Sequence, residues 1–170
     1  SLGRRLAGQV GRFHGPYALV ERLSDLMTGD EIIVSDTGNT LGWLMQGFRF
    51  KGQRFLHAFN NTPMGYGLPG ARGAALATGK RVVCITGDGS IMMSIGELAT
   101  IAKHCADLKV LLLNNESHSM CVKTQTQWLS GRFAGTKGGP NGDLAFPHNF
   151  SALANSMGNW HAQAAGDYLS

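Results

Sequence analysis

The sequence predicts an α/β fold built on a mainly parallel sheet. Residues 81–86 (RVVCIT) and 109–113 (KVLLL) are short unbroken apolar runs, the signature of strands buried on both faces. Between them, residues 94–105 place Ile95, Leu98, Ala99, Ile101 and Ala102 at helical spacing. Strand, helix and strand within about 35 residues make a βαβ unit, whose two strands run parallel.

Ahead of this unit, residues 17–27 carry Leu19, Val20, Leu23, Leu26 and Met27 on one helical face, with Pro16 suited to the first turn and Gly29 past the end. Residues 31–35 (EIIVS) read as a short buried strand and 36–40 (DTGNT) as a polar turn. A helix is expected over 41–48 and a short strand over 55–59, broken by Asn60, Asn61, Thr62 and Pro63. Residues 65–78 are rich in Gly and Ala and predict a smooth-faced helix able to lie close against a neighbour. Residues 87–90 (GDGS) read as a tight loop, from which Gly89 and Ser90 open the next helix. Residues 124–147 contain five glycines and Pro140, and a segment of that length without regular structure is functional or mobile. A helix over 150–157, a strand over 160–164 and the start of another helix at 167–170 complete the expectation.

The chain has 170 residues, enough for one domain with a core that needs no disulfides. Its 24 glycines are roughly twice the usual share, and its 15% of charged residues falls well short of a typical soluble domain. These numbers exclude a disordered chain, which is charge-rich and apolar-poor. They also predict that something besides solvent covers part of the surface. The net charge of +4 comes without any long run of like charges, which argues against a nucleic-acid partner. No apolar stretch approaches the length of a membrane span. Cys84, Cys105 and Cys121 form no CxxC pair and point to a reducing compartment, the cytoplasm being the simplest. Cys84 lies in an apolar run and is expected in the core. The basic first residues and the absent initial Met make the sequence read as a piece of something longer, with residues 1–15 a linker or tail and 16–170 the domain.

The strongest local feature is Gly87-Asp88-Gly89-Ser90 followed by Asn114-Asn115, each directly after a buried strand. In a parallel sheet those positions are carboxyl ends of neighbouring strands, where open α/β sheets bind ligands. A carboxylate from Asp88 and an amide oxygen from Asn115 suit Mg²⁺ completed by phosphate oxygens and water. Backbone N–H groups at a helix start favour a phosphate. The same residues equally suit a plain turn and a strand terminator, and the spacing alone leaves both open.

The whole pattern resembles the C-terminal, diphosphate-binding domain of the acetolactate synthase and 2-oxo-acid decarboxylase superfamily. The resemblance rests on residues 35–40 (SDTGNT), 62–69 (TPMGYGLP), 87–93 (GDGSIMM) and 113–120 (LNNESHSM), in the family's order, and covers residues 16–158. It implies a three-layer α/β/α thiamine-diphosphate-binding fold that holds thiamine diphosphate and Mg²⁺. By resemblance, Asp88, the Asn115 side chain and the Ser117 carbonyl would be metal ligands. Gly87, Gly89 and Ser90 would hold diphosphate oxygens, as would the turn of Gly38, Asn39 and Thr40. Met64 would wedge the cofactor into its bent shape, the Thr62 carbonyl would accept from the pyrimidine amino group, and Met93 would pack near that ring. Met120 and residues 125–133 match a mobile segment over the active site. The activity implied is decarboxylation of a small 2-oxo acid, with ligation of the resulting carbanion to a second carbonyl as a further option, the cofactor acting as electron sink.

The family's Glu that protonates the pyrimidine has no counterpart here. Glu97 is expected at the surface or an interface, and no catalytic residue is assigned in this chain beyond His118 as a substrate-side candidate. A pyrimidine-binding domain, on the same or another chain, would complete the site, in a homodimer or tetramer. His57 is a weaker candidate than His118, and the six histidines show no zinc spacing. Gly65 to Gly70 fits GxGxxG, but it follows no clear strand and carries no dinucleotide reading by itself. The alternatives are a free-standing β subunit of a split 2-oxo-acid decarboxylase or oxidoreductase, and a non-catalytic assembly domain. Arg72, inside the small-residue helix, and Cys105, before the second strand, are unusual for the family.

Overall fold

The computed structural model describes residues 15–158. The order of elements is α1 (Pro16–Leu26), β1 (Ile32–Ser35), α2 (Asn39–Gly47), β2 (Arg54–Leu56), α3 (Gly67–Thr78), β3 (Val82–Gly87), α4 (Asp88–Met93), α5 (Glu97–His104), β4 (Leu108–Leu113), α6 (Ser119–Trp128) and α7 (Phe150–Ser156). The strands form one sheet in the order β2-β1-β3-β4. Every neighbouring pair is parallel, with Ile32 opposite Arg54 and Val82, and Val82 opposite Leu108.

The apolar runs explain why the sheet is sandwiched. Successive strand residues point to opposite faces, and both faces of β1 and β3 are buried. Ile32, Val34, Val82 and Cys84 join Leu68, Ala71, Leu98 and Ile101 in one core layer, under α3 and α5. Ile33, Val83 and Ile85 join Val20, Leu23, Leu44 and Phe48 in the other, under α1 and α2. The result is a three-layer α/β/α domain. Phe150, Ala154 and Met157 bring α7 onto the first layer.

The small-residue stripe predicted over 65–78 has a concrete use. Gly67, Leu68 and Ala71 are buried, and α3 crosses β1 and β3 closely enough that a Cβ on Gly67 would stand 3.2 Å from Cys84 Sγ. Pro69 is tolerated because it falls in the first turn, where backbone N–H groups have no partner within the helix. Gly79 ends the helix in the left-handed conformation, its N–H donating to the Ala75 carbonyl. Arg72, odd from the sequence, forms an ion pair at 2.6 Å with Glu97, joining α3 to α5. Glu97 is thus a half-buried cross-link between two helices of the chain.

Other expectations need correction. The tight loop expected at 87–90 is absent: Gly87 ends β3 and is the N-cap of α4, which begins at Asp88. The helix expected over 94–105 is shortened by a turn at 94–96 and starts at Glu97. The strand at 108–113 is half-buried rather than fully buried, because it lies on the edge of the described sheet. Part of the long segment from 124 is helical, being the second half of α6. The strand expected over 160–164 and the helix start at 167–170 lie outside the described residues. Among the described residues, no helix is long and apolar enough to cross a membrane.

Leu44 is fully buried between α2 and the sheet, whereas Leu76 is 58% exposed. Leu44→Ala is expected to cost about 2–5 kcal/mol in urea unfolding and Leu76→Ala less than about 0.5 kcal/mol; comparable losses would contradict this layering.

Candidate active-site cleft

The sheet order places the chain's reversal between β1 and β3: β2 lies to one side of this pair and β4 to the other. Ligands of open α/β sheets bind at such a point, outside the carboxyl ends of the strands. A cleft of about 320 Å³ opens there. Gly38, Asn39 and Thr40 line it after β1, Gly87 to Ser90 after β3, and Asn115, Ser117, His118 and Met120 after β4. Thr62 and Met64 complete the wall from the segment before α3. Met93 is not among the lining residues. It is 60% exposed, and its Cβ would lie 2.7 Å from a Cβ added at Gly65. His57 is also outside the cleft; it donates from Nδ1 to the Ser35 carbonyl at 3.0 Å and lies edge-on to Phe59 and Tyr66.

Two buried carboxylates brace this region: Asp88 lines the cleft, and Asp36 ties the neighbouring strand ends together without lining it. Asp88 is 3% exposed. Its Oδ1 accepts from Gly89 N at 2.7 Å, and its Oδ2 from Asn115 N at 3.0 Å and Ser117 N at 3.1 Å. The start of α4 is thereby clamped to the turn after β4. Gly89 spends its N–H on this carboxylate, so its distinctive contribution is space. A Cβ there would fall 2.5 Å from His118 Nε2 and 3.1 Å from Met64 Cε. His118 and Met64 therefore converge over Gly89. The Asn115 amide nitrogen donates to Ser119 Oγ, which leaves the amide oxygen as that side chain's acceptor.

Asp36, read from the sequence as part of a polar turn, is the second carboxylate and is fully buried. Its Oδ1 accepts from Thr37 N at 2.9 Å and Gly65 N at 3.1 Å. Its Oδ2 accepts from Gly67 N at 2.8 Å, with the Thr86 hydroxyl at 3.4 Å. One carboxylate thus joins the ends of β1 and β3 to the start of α3. The signal for it was present: the GYG glycines after Met64 bring backbone donors that a buried segment must satisfy. Burial and the nearby Asp36 charge push the Cys84 thiol well above its ordinary range. Cys84 is thus the inert core residue expected, and all three cysteines are free.

Strain marks the same region. Thr62 (φ 42°) and Glu116 (φ 51°) are non-glycine residues in the left-handed conformation, which costs about 1–3 kcal/mol each and persists where surroundings over-determine it. Thr62 lines the cleft, and Glu116 stands between Asn115 and Ser117.

The strap that follows α6 is tied to the turn after β4. After α6, residues 131–146 fold back so that His118 N donates to the Thr136 carbonyl at 2.9 Å and Gly138 N to the Glu116 carbonyl at 2.8 Å. Ser117 and Lys137 form an antiparallel bridge. The Lys137 ammonium sits 3.5 Å above the Phe133 ring, and Phe146 meets His118 edge-on. Backbone N–H groups, chiefly that of Gly135, hold the Asp143 carboxyl below its ordinary pKa.

A layered parallel sheet with a cleft at its switch point, lined by the buried Asp88, defines a ligand-binding α/β domain. The chain belongs to the thiamine pyrophosphate enzymes, as their C-terminal TPP binding domain, which matches residues 36–168. Thiamine diphosphate is therefore the cofactor of its class. The large subunit of acetolactate synthase isozyme 1 of Escherichia coli (strain K12) is 36% identical over 71% of this chain. An acetolactate synthase 2, chloroplastic, of Brassica napus is 38% identical over 78% of it. The E. coli isozyme 2 large subunit is 33% identical over 82%. The chain spans only 22%, 21% and 25% of these relatives' own lengths.

Asp36→Ala would leave the Gly65 and Gly67 N–H groups buried and unpaired. At about 1–3 kcal/mol per orphaned donor, it is expected to lose at least about 2 kcal/mol in urea unfolding, with Asp36→Asn, which keeps one acceptor oxygen, losing less. A wild-type midpoint for Asp36→Ala would refute this role.

Proposed function

We propose that this domain binds the diphosphate half of thiamine diphosphate through Mg²⁺, within an acetolactate synthase-like enzyme that decarboxylates a small 2-oxo acid and ligates the product to a second carbonyl. The observation that carries this reading is Asp88, a buried carboxylate in the cleft lining clamped by three N–H groups. Oδ1 accepts one of these bonds and Oδ2 two, so Oδ1 keeps acceptor capacity for a cation. Among the described residues no cluster of three His, Cys, Asp or Glu could hold a metal by itself. A cation at Asp88 would thus need neutral oxygens and a ligand's phosphates, which is how Mg²⁺ is usually held. The residues present fit the group.

Asp88, the Asn115 amide oxygen and the Ser117 carbonyl would hold the cation. Ser90, Gly87 and the Gly38, Asn39 and Thr40 turn would orient the diphosphate, and Gly89 would leave room for His118 and Met64 beside it. Met64 would support the cofactor's bend, and the Thr62 carbonyl would accept from its pyrimidine amino group. Met120 would shield the cleft from water, and His118 would face the substrate. When bound, the cofactor supplies a nucleophilic carbon and an electron sink for breaking the carboxyl bond. A cleft near the lower end of the usual size for ligand sites fits half of such a cofactor, the other half belonging to a pyrimidine-binding domain in an oligomer. Free thiols fit a reducing compartment.

Calorimetry on the native assembly is expected to show thiamine diphosphate binding that requires Mg²⁺ and weakens by more than about tenfold (about 1.4 kcal/mol) in Asp88→Ala. Binding undiminished by Asp88→Ala would remove the metal role.

A further inference from the structure

Thr136 does not itself line the cleft, yet it is 4% exposed and joins three segments. Its carbonyl accepts from His118 N at 2.9 Å and Ser117 Oγ at 3.2 Å. Its hydroxyl donates to Gln125 Oε1 at 2.7 Å, and Gln125 Nε2 donates in turn to the Ala134 carbonyl at 3.0 Å. Its N–H donates to Asp143 Oδ1 at 3.3 Å. Helix α6, the returning strap and the turn after β4 meet at this one residue.

The turn needs such support. Glu116 holds a left-handed conformation that no glycine relieves. The turn is pulled from one side by Asp88, through Asn115 N and Ser117 N, and from the other by the strap, through Gly138 N and the Thr136 carbonyl. Releasing the strap side leaves the strained conformation with half of its restraints. Asp88 alone would then hold residues 115–117 in place.

We propose that Thr136, locked by Gln125, is a positioning residue that fixes the Asn115–Ser117 turn for cation binding, so that the order of the strap and the affinity for the cation are coupled. This rests on the cation reading given above. Coupling is reciprocal by thermodynamic necessity: whatever weakens the strap weakens the cation, and the bound cation must quiet the strap. The hydroxyl of residue 136 is the handle, since its bond to Gln125 can be removed without deleting any backbone donor or acceptor, so that the backbone bonds lose only their lock.

The test uses the native assembly with thiamine diphosphate and Mn²⁺ as probe, the free ion being followed by electron paramagnetic resonance and the strap by amide hydrogen exchange. Thr136→Val, which keeps the shape and loses the hydroxyl, is expected to raise the Mn²⁺ dissociation constant by about tenfold, the scale on which partners of metal ligands act. It should also speed exchange at the His118 and Gly138 amides. Thr136→Ser should restore both, and Gln125→Ala should reproduce the defect if Thr136→Val does not fold. In the wild type, Mn²⁺ should slow exchange at residues 135–138. Wild-type Mn²⁺ affinity in Thr136→Val or Gln125→Ala would overturn the positioning role while leaving the cation site standing. Absence of Mn²⁺ binding in the wild type would overturn the cation reading and this inference with it.

Discussion

The Asp36 carboxylate is the contact on which the cleft depends. A buried charge is costly unless its oxygens are fully engaged, and here three backbone N–H groups and a hydroxyl engage them. Those donors come from three places distant in sequence: the end of β1, the approach to α3 and the end of β3. The bond therefore fixes where the Thr62 to Gly67 segment stands relative to the sheet. It also explains Gly67, since a Cβ there would come within 2.8 Å of Asp36 Oδ2. The smooth helix and the buried acid require each other.

Asp88 repeats the arrangement one strand further on, tying α4 to the turn after β4. The two carboxylates thus staple three consecutive carboxyl ends, those of β1, β3 and β4, into one rigid edge. Rigidity there has a function. Glu116 and Thr62 are held in strained backbone conformations, and only a cross-braced edge keeps them so. Rigid, strained backbone that presents carbonyl and carboxylate oxygens at fixed positions is what a small, hard cation demands. The glycine excess follows from the same constraint, with Gly67 admitting Asp36 and Gly89 admitting the His118 ring.

What the sequence displayed was whatever local pattern controls. β1, β3 and α3 follow from unbroken apolar runs and a small-residue stripe, and the GDG and NN pairs mark strand ends by themselves. The role of Asp36 was hidden because its partners lie 29 to 50 residues away, beyond any window of periodicity. Arg72 looked out of place for the same reason, its partner Glu97 being on another helix. The helix expected to open at Gly89 and Ser90 starts one residue earlier, at Asp88, because its glycines also fit a turn. The strap was hidden because its order comes from hydrogen bonds to the turn after β4 and not from any repeat of its own. Met93, placed near the pyrimidine ring by motif position, is exposed at the end of the short α4 and does not line the cleft.

The account turns on whether the edge braced by Asp36 and Asp88 is where a divalent cation and a diphosphate meet. A crystal structure of the native assembly grown with thiamine diphosphate and Mn²⁺, with anomalous scattering collected for manganese, addresses this directly. The result expected is a single anomalous peak within coordination distance of Asp88, the Asn115 amide oxygen and the Ser117 carbonyl, with the diphosphate between Gly38 and Ser90. A peak elsewhere, or a diphosphate held away from Asp88, would contradict it.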